Sequence, residues 1–311
     1  MTDLLDRVAG APITWGVCEV PAWGHRMEPE RVLSEMASIG MRATELGPVG
    51  FLPTDSSALQ AVLRPHGLRL VGGFIPIVLH RPDRWAEERA VLETAVVSMA
   101  EAGADAAVLA ASGSDDSYET SEELGDDEWR HLGAALGEAA EVCSRHGLTA
   151  SLHPHLGTLV ESPEQIERAM AESTVPLCLD TGHVLAGGGD PVKVALEHRD
   201  RIAHVHLKDV DAALAARVRR GESSYHHAVT EGLYRPLGKG DVDLTTVITA
   251  LEDAGYDGWY VLEQDAVLTT EPEPGSGPVA DASAGMRWLE DNFSKVSPGP
   301  TGRDEGQSGP V

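Results

Sequence analysis

The chain has 311 residues, 42% of them apolar, and 24 Lys+Arg against 50 Asp+Glu give it a formal charge of −26. So acidic a chain has no electrostatic footprint for nucleic acid and is repelled by anionic lipid surfaces, and most of the excess simply keeps it soluble. No run approaches the roughly 18 apolar residues that span a bilayer, residues 1–12 lack the basic-then-apolar order of a signal peptide, and Cys18, Cys143 and Cys178 are too scattered for a disulfide framework or a zinc ribbon, so a cytoplasmic globular protein is expected.

Short apolar runs alternate with amphipathic segments. Ile13–Cys18 reads as a first strand, followed by a loop and a helix carrying Val32, Leu33, Met36 and Ile39. Arg42–Leu46 is a second strand and Ser56–Leu63 a helix; Leu68–Phe74 is a third strand, after which Asp83 is placed to cap a long helix. Ala106–Ala111 and Leu148–His153 give strands four and five, the latter preceded by a helix that stops at Arg145-His146-Gly147. Pro176–Asp180 is strand six, Asp190-Pro191 opens a helix, and Ile202–Leu207 is strand seven. Asp243 caps a helix that stops at Ala254-Gly255, Trp259–Glu263 is strand eight, and a last helix spans roughly Ala282 to Phe293.

Eight strands alternating with helices require parallel pairing with right-handed crossovers, and eight units in this length predict an α/β fold, a single (β/α)8 barrel. A doubly wound sheet is disfavoured because Glu19-Val20-Pro21 follows the first strand instead of a glycine-rich phosphate loop. Residues 1–293 are expected to form the barrel, with insertions near 112–128 and 212–235, and the Gly-, Pro- and Ser-rich residues 294–311 a disordered tail. The second insertion, with Arg217, Arg219, Arg220, His226 and His227, reads either as a solvated loop or as a lid over the barrel mouth that takes part in substrate binding.

Function in such barrels sits at the carboxyl ends of the strands. There stand Glu45, His153-Pro-His155, Asp180-Thr-Gly-His183, His204-Val-His206-Leu-Lys208-Asp209 and Glu263-Gln-Asp265. Two carboxylates and one or two imidazoles suit a divalent metal, Mn²⁺ or Co²⁺ before Mg²⁺ because of the nitrogen donors.

The strings Leu179-Asp-Thr-Gly-His183, His204-Val-His-Leu-Lys-Asp209, Pro236-Leu-Gly-Lys-Gly-Asp-Val-Asp243 and Val261-Leu-Glu-Gln-Asp265 resemble the xylose isomerase-like barrel superfamily of sugar isomerases and epimerases. Ala11-Pro-Ile-Thr-Trp-Gly16, Ala43-Thr-Glu-Leu-Gly47 and His153-Pro-His-Leu-Gly-Thr158 most resemble its myo-inosose-2 dehydratase branch, and the likeness spans residues 11 to 293.

The resemblance implies that Asp180, His206 and Glu263 are metal ligands. The fourth position, usually Glu, is matched by His153, with His155 or a water as alternatives. It places His183 on substrate oxygens and Glu45 and Trp15 in the lining of the sugar pocket, while Lys208 orients substrate oxygens or pairs with Asp209 at the rim.

The implied reaction is dehydration of an inosose-like cyclic keto-polyol through an enediolate. Glu263 serves as ligand and base, and His153, His155 or His183 protonates the leaving hydroxyl. The runner-up is a ketose isomerase or epimerase using the same first step. Cleavage of a 3-oxo C-glycoside, a DNA-repair endonuclease (opposed by the charge) and a non-enzymatic barrel are more distant readings. The small-molecule substrate, with neither nucleic acid nor membrane as partner, leaves a homo-oligomer open.

Overall fold

The computed structural model describes residues 3–113, 118 and 122–294. The expected tail beyond Ser294 and the centre of the 112–128 insertion lie outside the described residues. Strand β1 (Val8–Gly10) is followed by α1 (Pro29–Ser38), β2 (Ala43–Glu45), α2 (Ser56–Leu63), β3 (Arg69–Ile77), α3 (Trp85–Ala102) and β4 (Ala106–Ala111). The chain continues through α4 (Asp126–Arg145), β5 (Thr149–Leu152), α5 (Pro163–Glu172), β6 (Leu177–Asp180), α6 (Thr181–Ala186), α7 (Pro191–Glu197) and β7 (Ile202–Leu207). Next come β8 (Asp209–Val210), α8 (Ala212–Arg219), α9 (Tyr225–Thr230), β9 (Tyr234–Arg235), α10 (Leu244–Asp253), β10 (Tyr260–Leu262) and α11 (Pro278–Phe293).

Eight parallel strands close into a ring in the order β1-β10-β7-β6-β5-β4-β3-β2. This is the single (β/α)8 barrel. Its first strand is not Ile13–Cys18 but Val8–Gly10, which pairs with β10 on one side and β2 on the other. The run after Ala11 starts with a proline and ends at Gly16 with φ 73°, punctuation for a helical turn, and Pro12–Trp15 is accordingly a 3-10 turn at the barrel mouth. Helix α3 is capped by Arg84 without a side-chain bond, because Asp83 is held by Arg81 instead, and α11 starts at Pro278, four residues ahead of the expected start. The 212–235 insertion is not a simple loop: two short helices stand between β8 and β9, which pair antiparallel.

Register decides what faces the lumen. Residues paired across parallel strands share a face, and the ladder Asp180–His206–Val261–Ala9–Ala43 runs round one side of the ring at one level. The lumen therefore changes along that ladder from polar side chains on β6 and β7 to small apolar ones on β10, β1 and β2. Ala9, Ala11, Ala43, Val71 and Val261 form their own buried cluster. By period two, Cys178, His204, Glu45 and Glu263 point inward as well.

Two anchors hold the ends. At the amino-terminal face Arg7 forks onto both oxygens of Glu252 (2.7 and 2.8 Å) and donates to the carbonyls of Tyr256 and Gly258, which locks the first strand to the last. At the other face the buried Asp209 carboxylate accepts from the backbone N–H groups of Val210, Gly238, Gly240 and Val242 at 2.8–3.1 Å. A Cβ on Gly240 would lie 2.3 Å from Asp209 Oδ1, so this approach needs glycine. Asp209 is thereby occupied, and it does not pair with Lys208.

Candidate active site

A cavity of about 310 Å³ opens at the carboxyl ends of the strands, at the lower end of the range usual for small-molecule sites. Glu45, His153, His155, His206, Lys208, Glu263 and Asp265 line it, and Trp23, Phe74, Tyr118 and Tyr225 give it aromatic walls.

At its floor, Asp180 ends β6 and caps α6: Oδ1 accepts from the His183 N–H at 2.8 Å, which leaves Oδ2 turned to the lumen. Around that oxygen stand His153 Nε2 at 3.3 Å, Lys208 Nζ at 3.4 Å and His206 Nδ1 at 3.6 Å. His206 Nδ1 is also 3.0 Å from Glu263 Oε2, yet this buried nitrogen makes no hydrogen bond of acceptable geometry. Two donors held about 2.1 Å from one ion lie about 3.0–3.4 Å apart. An unpartnered ring nitrogen facing two carboxylate oxygens near that spacing is the arrangement of a metal site. Asp180, His206 and Glu263 thus fit a divalent cation, with His153 adjacent through Asp180. Cys178 lies close to His153 and His206, and burial pushes its thiol up to about 11, so without a metal it is protonated at neutral pH.

Beside this floor runs a closed ring of polar contacts. Lys208 Nζ reaches Asp265 Oδ1 at 2.7 Å, Glu263 Oε2 at 3.0 Å and His183 Nε2 at 3.0 Å. Tyr234 OH lies 3.2 Å from His183 Nδ1 and 3.2 Å from Tyr225 OH, and Tyr225 OH donates to Asp265 Oδ2 at 2.7 Å. Burial alone would strip the Lys208 proton, but Asp180, Asp265 and Glu263 outweigh it and hold the ammonium charged. Burial depresses His153, His155 and His183, so these imidazoles rest neutral.

The structure gathers Glu45, His153, His155, Asp180, His206, Lys208 and Glu263 into one site. His183 sits behind Lys208, outside the cavity lining, where it supports the ammonium. Trp15 does not line the cavity: the 3-10 turn buries its ring fully, and Nε1 donates to Glu35 Oε2 on α1 at 2.8 Å. Glu45 lines the wall, but its Oε1 accepts from His204 Nε2 at 2.8 Å and His206 Nε2 at 3.1 Å. Sequence reasoning assigned no role to Asp265, Tyr225 or Tyr234. The Glu263-Gln-Asp265 spacing put two acids on one face, and both tyrosines fall in the 212–235 insertion, but only the fold brings them to Lys208.

A family model described as a xylose isomerase-like TIM barrel matches residues 33–292. An inosose dehydratase of Geobacillus kaustophilus is 33% identical over 270 residues, covering 83% of this chain and 87% of its own. The rhizopine catabolism protein MocC of Rhizobium meliloti is 35% identical over 267 residues, with 83% and 81% covered. Among solved structures, the probable 3-DHS dehydratase AsbF of Bacillus anthracis aligns with a TM-score of 0.68 at 16% identity, over 91% of this chain and 98% of that one. The IOLI protein with a bound zinc atom gives 0.69 at 15%, over 93% and 100%. These two likenesses concern the fold. The chain belongs to the xylose isomerase-like TIM-barrel family and, within it, stands with the inosose dehydratases.

Proposed function

We propose that the protein is a metal-dependent dehydratase, a carbon–oxygen lyase acting on an inosose-like cyclic keto-polyol. The observation that carries this reading is the pairing of a metal-shaped donor set, Asp180, His206 and Glu263, with a charged lysine and a buried imidazole in one small cavity. The inosose dehydratases among its relatives point to the substrate class. The aromatic walls suit the C–H faces of a ring, and the polar floor suits its hydroxyls.

A divalent cation at the floor, Mn²⁺ or Co²⁺ by its mixed nitrogen and oxygen donors, would polarise the substrate carbonyl. The side chains do the rest. Glu263 stands beside the floor and takes the proton α to the carbonyl. Lys208 donates to the substrate oxygens from its fixed place between Glu263 and Asp265. His155, neutral at rest, lines the opposite wall and orients the departing β-hydroxyl, which takes a proton from the Lys208 ammonium and leaves as water. One C–H and one C–O bond break and a C=C bond forms, with no change in overall oxidation state.

Incubation of Mn²⁺- or Co²⁺-loaded protein with scyllo-inosose is expected to raise the ultraviolet absorbance of the conjugated dione product. Asp180→Asn and Glu263→Gln are expected to lose that signal together with bound metal. Absence of product with every divalent metal tried refutes the dehydratase. Solvent deuterium entering recovered ketose without loss of water would instead select the isomerase or epimerase.

A further inference from the structure

Glu45 ends β2, whereas His204 and His206 lie on β7; β1 and β10 stand between them in the ring, so the contact crosses the lumen. The carboxylate is 2% exposed, and a buried carboxylate must be neutralised or hydrogen-bonded. Oε1 receives two ring N–H groups, from His204 at 2.8 Å and His206 at 3.1 Å. As a metal ligand, the imidazole of His206 carries one proton. With Nε2 committed to Glu45, its Nδ1 bears the lone pair, and this is the nitrogen left unpartnered 3.0 Å from Glu263 Oε2. Were the proton on Nδ1, Glu263 would accept it and Glu45 would face a bare nitrogen.

We propose that Glu45 is a positioning residue that acts through His206, fixing the tautomer and plane that aim Nδ1 at the metal, while His204 pins the carboxylate in place. The inference rests on the reading of Asp180, His206 and Glu263 as a metal site. It moves Glu45 from the substrate-binding role implied by sequence resemblance to a role behind the ligand. Outer partners of this kind typically change metal affinity 10–100-fold when removed.

The test measures zinc affinity by competition with a chromophoric chelator, in wild-type protein and in Glu45→Gln, which keeps the shape but loses the charge. The expected result is an affinity roughly 10–100-fold weaker. His204→Gln, which leaves the Glu45–His206 bond in place, is expected to lose less. In zinc-loaded, ¹⁵N-labelled wild type, His206 is expected to be protonated at Nε2 with a low-field proton resonance, and to bind metal through Nδ1. That readout needs no variant to fold. Glu45→Gln binding within about threefold of wild type, or a His206 protonated at Nδ1, overturns the assignment of Glu45. A wild-type protein that takes up no zinc, Mn²⁺ or Co²⁺ overturns the metal-site reading itself, and the inference with it.

Discussion

Lys208 shows how a single ion governs its neighbours. Its ammonium is 2% exposed and stands within 3.4 Å of carboxylate oxygens on Asp180, Glu263 and Asp265. Removing one partner of such a buried group leaves uncompensated charge, at a cost of about 3–5 kcal/mol. Lys208→Met is therefore expected to lower thermal stability sharply at neutral pH in chelator-treated protein. The deficit should shrink as acid protonates the carboxylates, which a melting series against pH would show. A deficit that stays constant with pH would mean that packing, not charge, is what the lysine supplies. Asp180, His206 and Glu263 were legible at this scale because strand register fixes which residues at a strand's end face the lumen. Asp265 and Trp15 were not legible. One lies beyond β10, where no ladder dictates direction, and the other was turned into the packing by a proline-started helical turn.

Elements with a strong local pattern were read correctly. β4 is six buried residues in an unbroken apolar run, and β7 matches its expected limits at both ends. The β8–β9 segment was opaque because its function is a tertiary one: helix α9 and strand β9 carry Tyr225 and Tyr234 to the polar contacts around Lys208, and a charged sequence gives no sign of that. The fold of this segment depends on Asp209 holding four backbone N–H groups. Asp209→Ala leaves those buried donors unpaired and is expected to destabilise the protein by about 2–4 kcal/mol, given about 1–3 kcal/mol per orphaned group and partial rescue by water. Hydrogen exchange should accelerate first at residues 236–243 and 209–210. Uniform acceleration over the whole barrel would refute a local latch. Gly240→Ala is expected to act the same way through the clash with the carboxylate.

At the scale of the molecule, eight βα units made the closed barrel predictable, and the −26 charge remains mostly surface acid. The pH response of the whole fold follows from buried imidazoles. His153, His155 and His183 have pKa values depressed below 6.5 by burial, while in the unfolded chain they titrate near the ordinary value. Above pH about 6.5 both states are neutral and these groups contribute nothing to pH dependence. Below it the unfolded chain takes up protons that the folded one resists, and each group then removes up to about 1.4 kcal/mol per pH unit until its folded pKa is reached. His206, whose pKa neighbouring acids raise well above 6.5, acts in the opposite sense, so the depressed rings are read by variant: in metal-free protein, lowering the pH from 7.5 to 5.5 is expected to cost less urea midpoint in His155→Gln than in wild type. An equal change in the two proteins would show that His155 does not resist protonation in the fold.

The Glu45 contact also has a bearing on how the chain assembles. Its partners are 159 and 161 residues away in sequence and meet it only across the lumen. No fragment ending before β7 contains both halves of that contact, and an open, partly wound sheet holds them apart. During refolding, His206 is therefore aimed only when the ring shuts, so capture of a metal by refolding protein would time barrel closure itself, separately from the earlier growth of helices and strands.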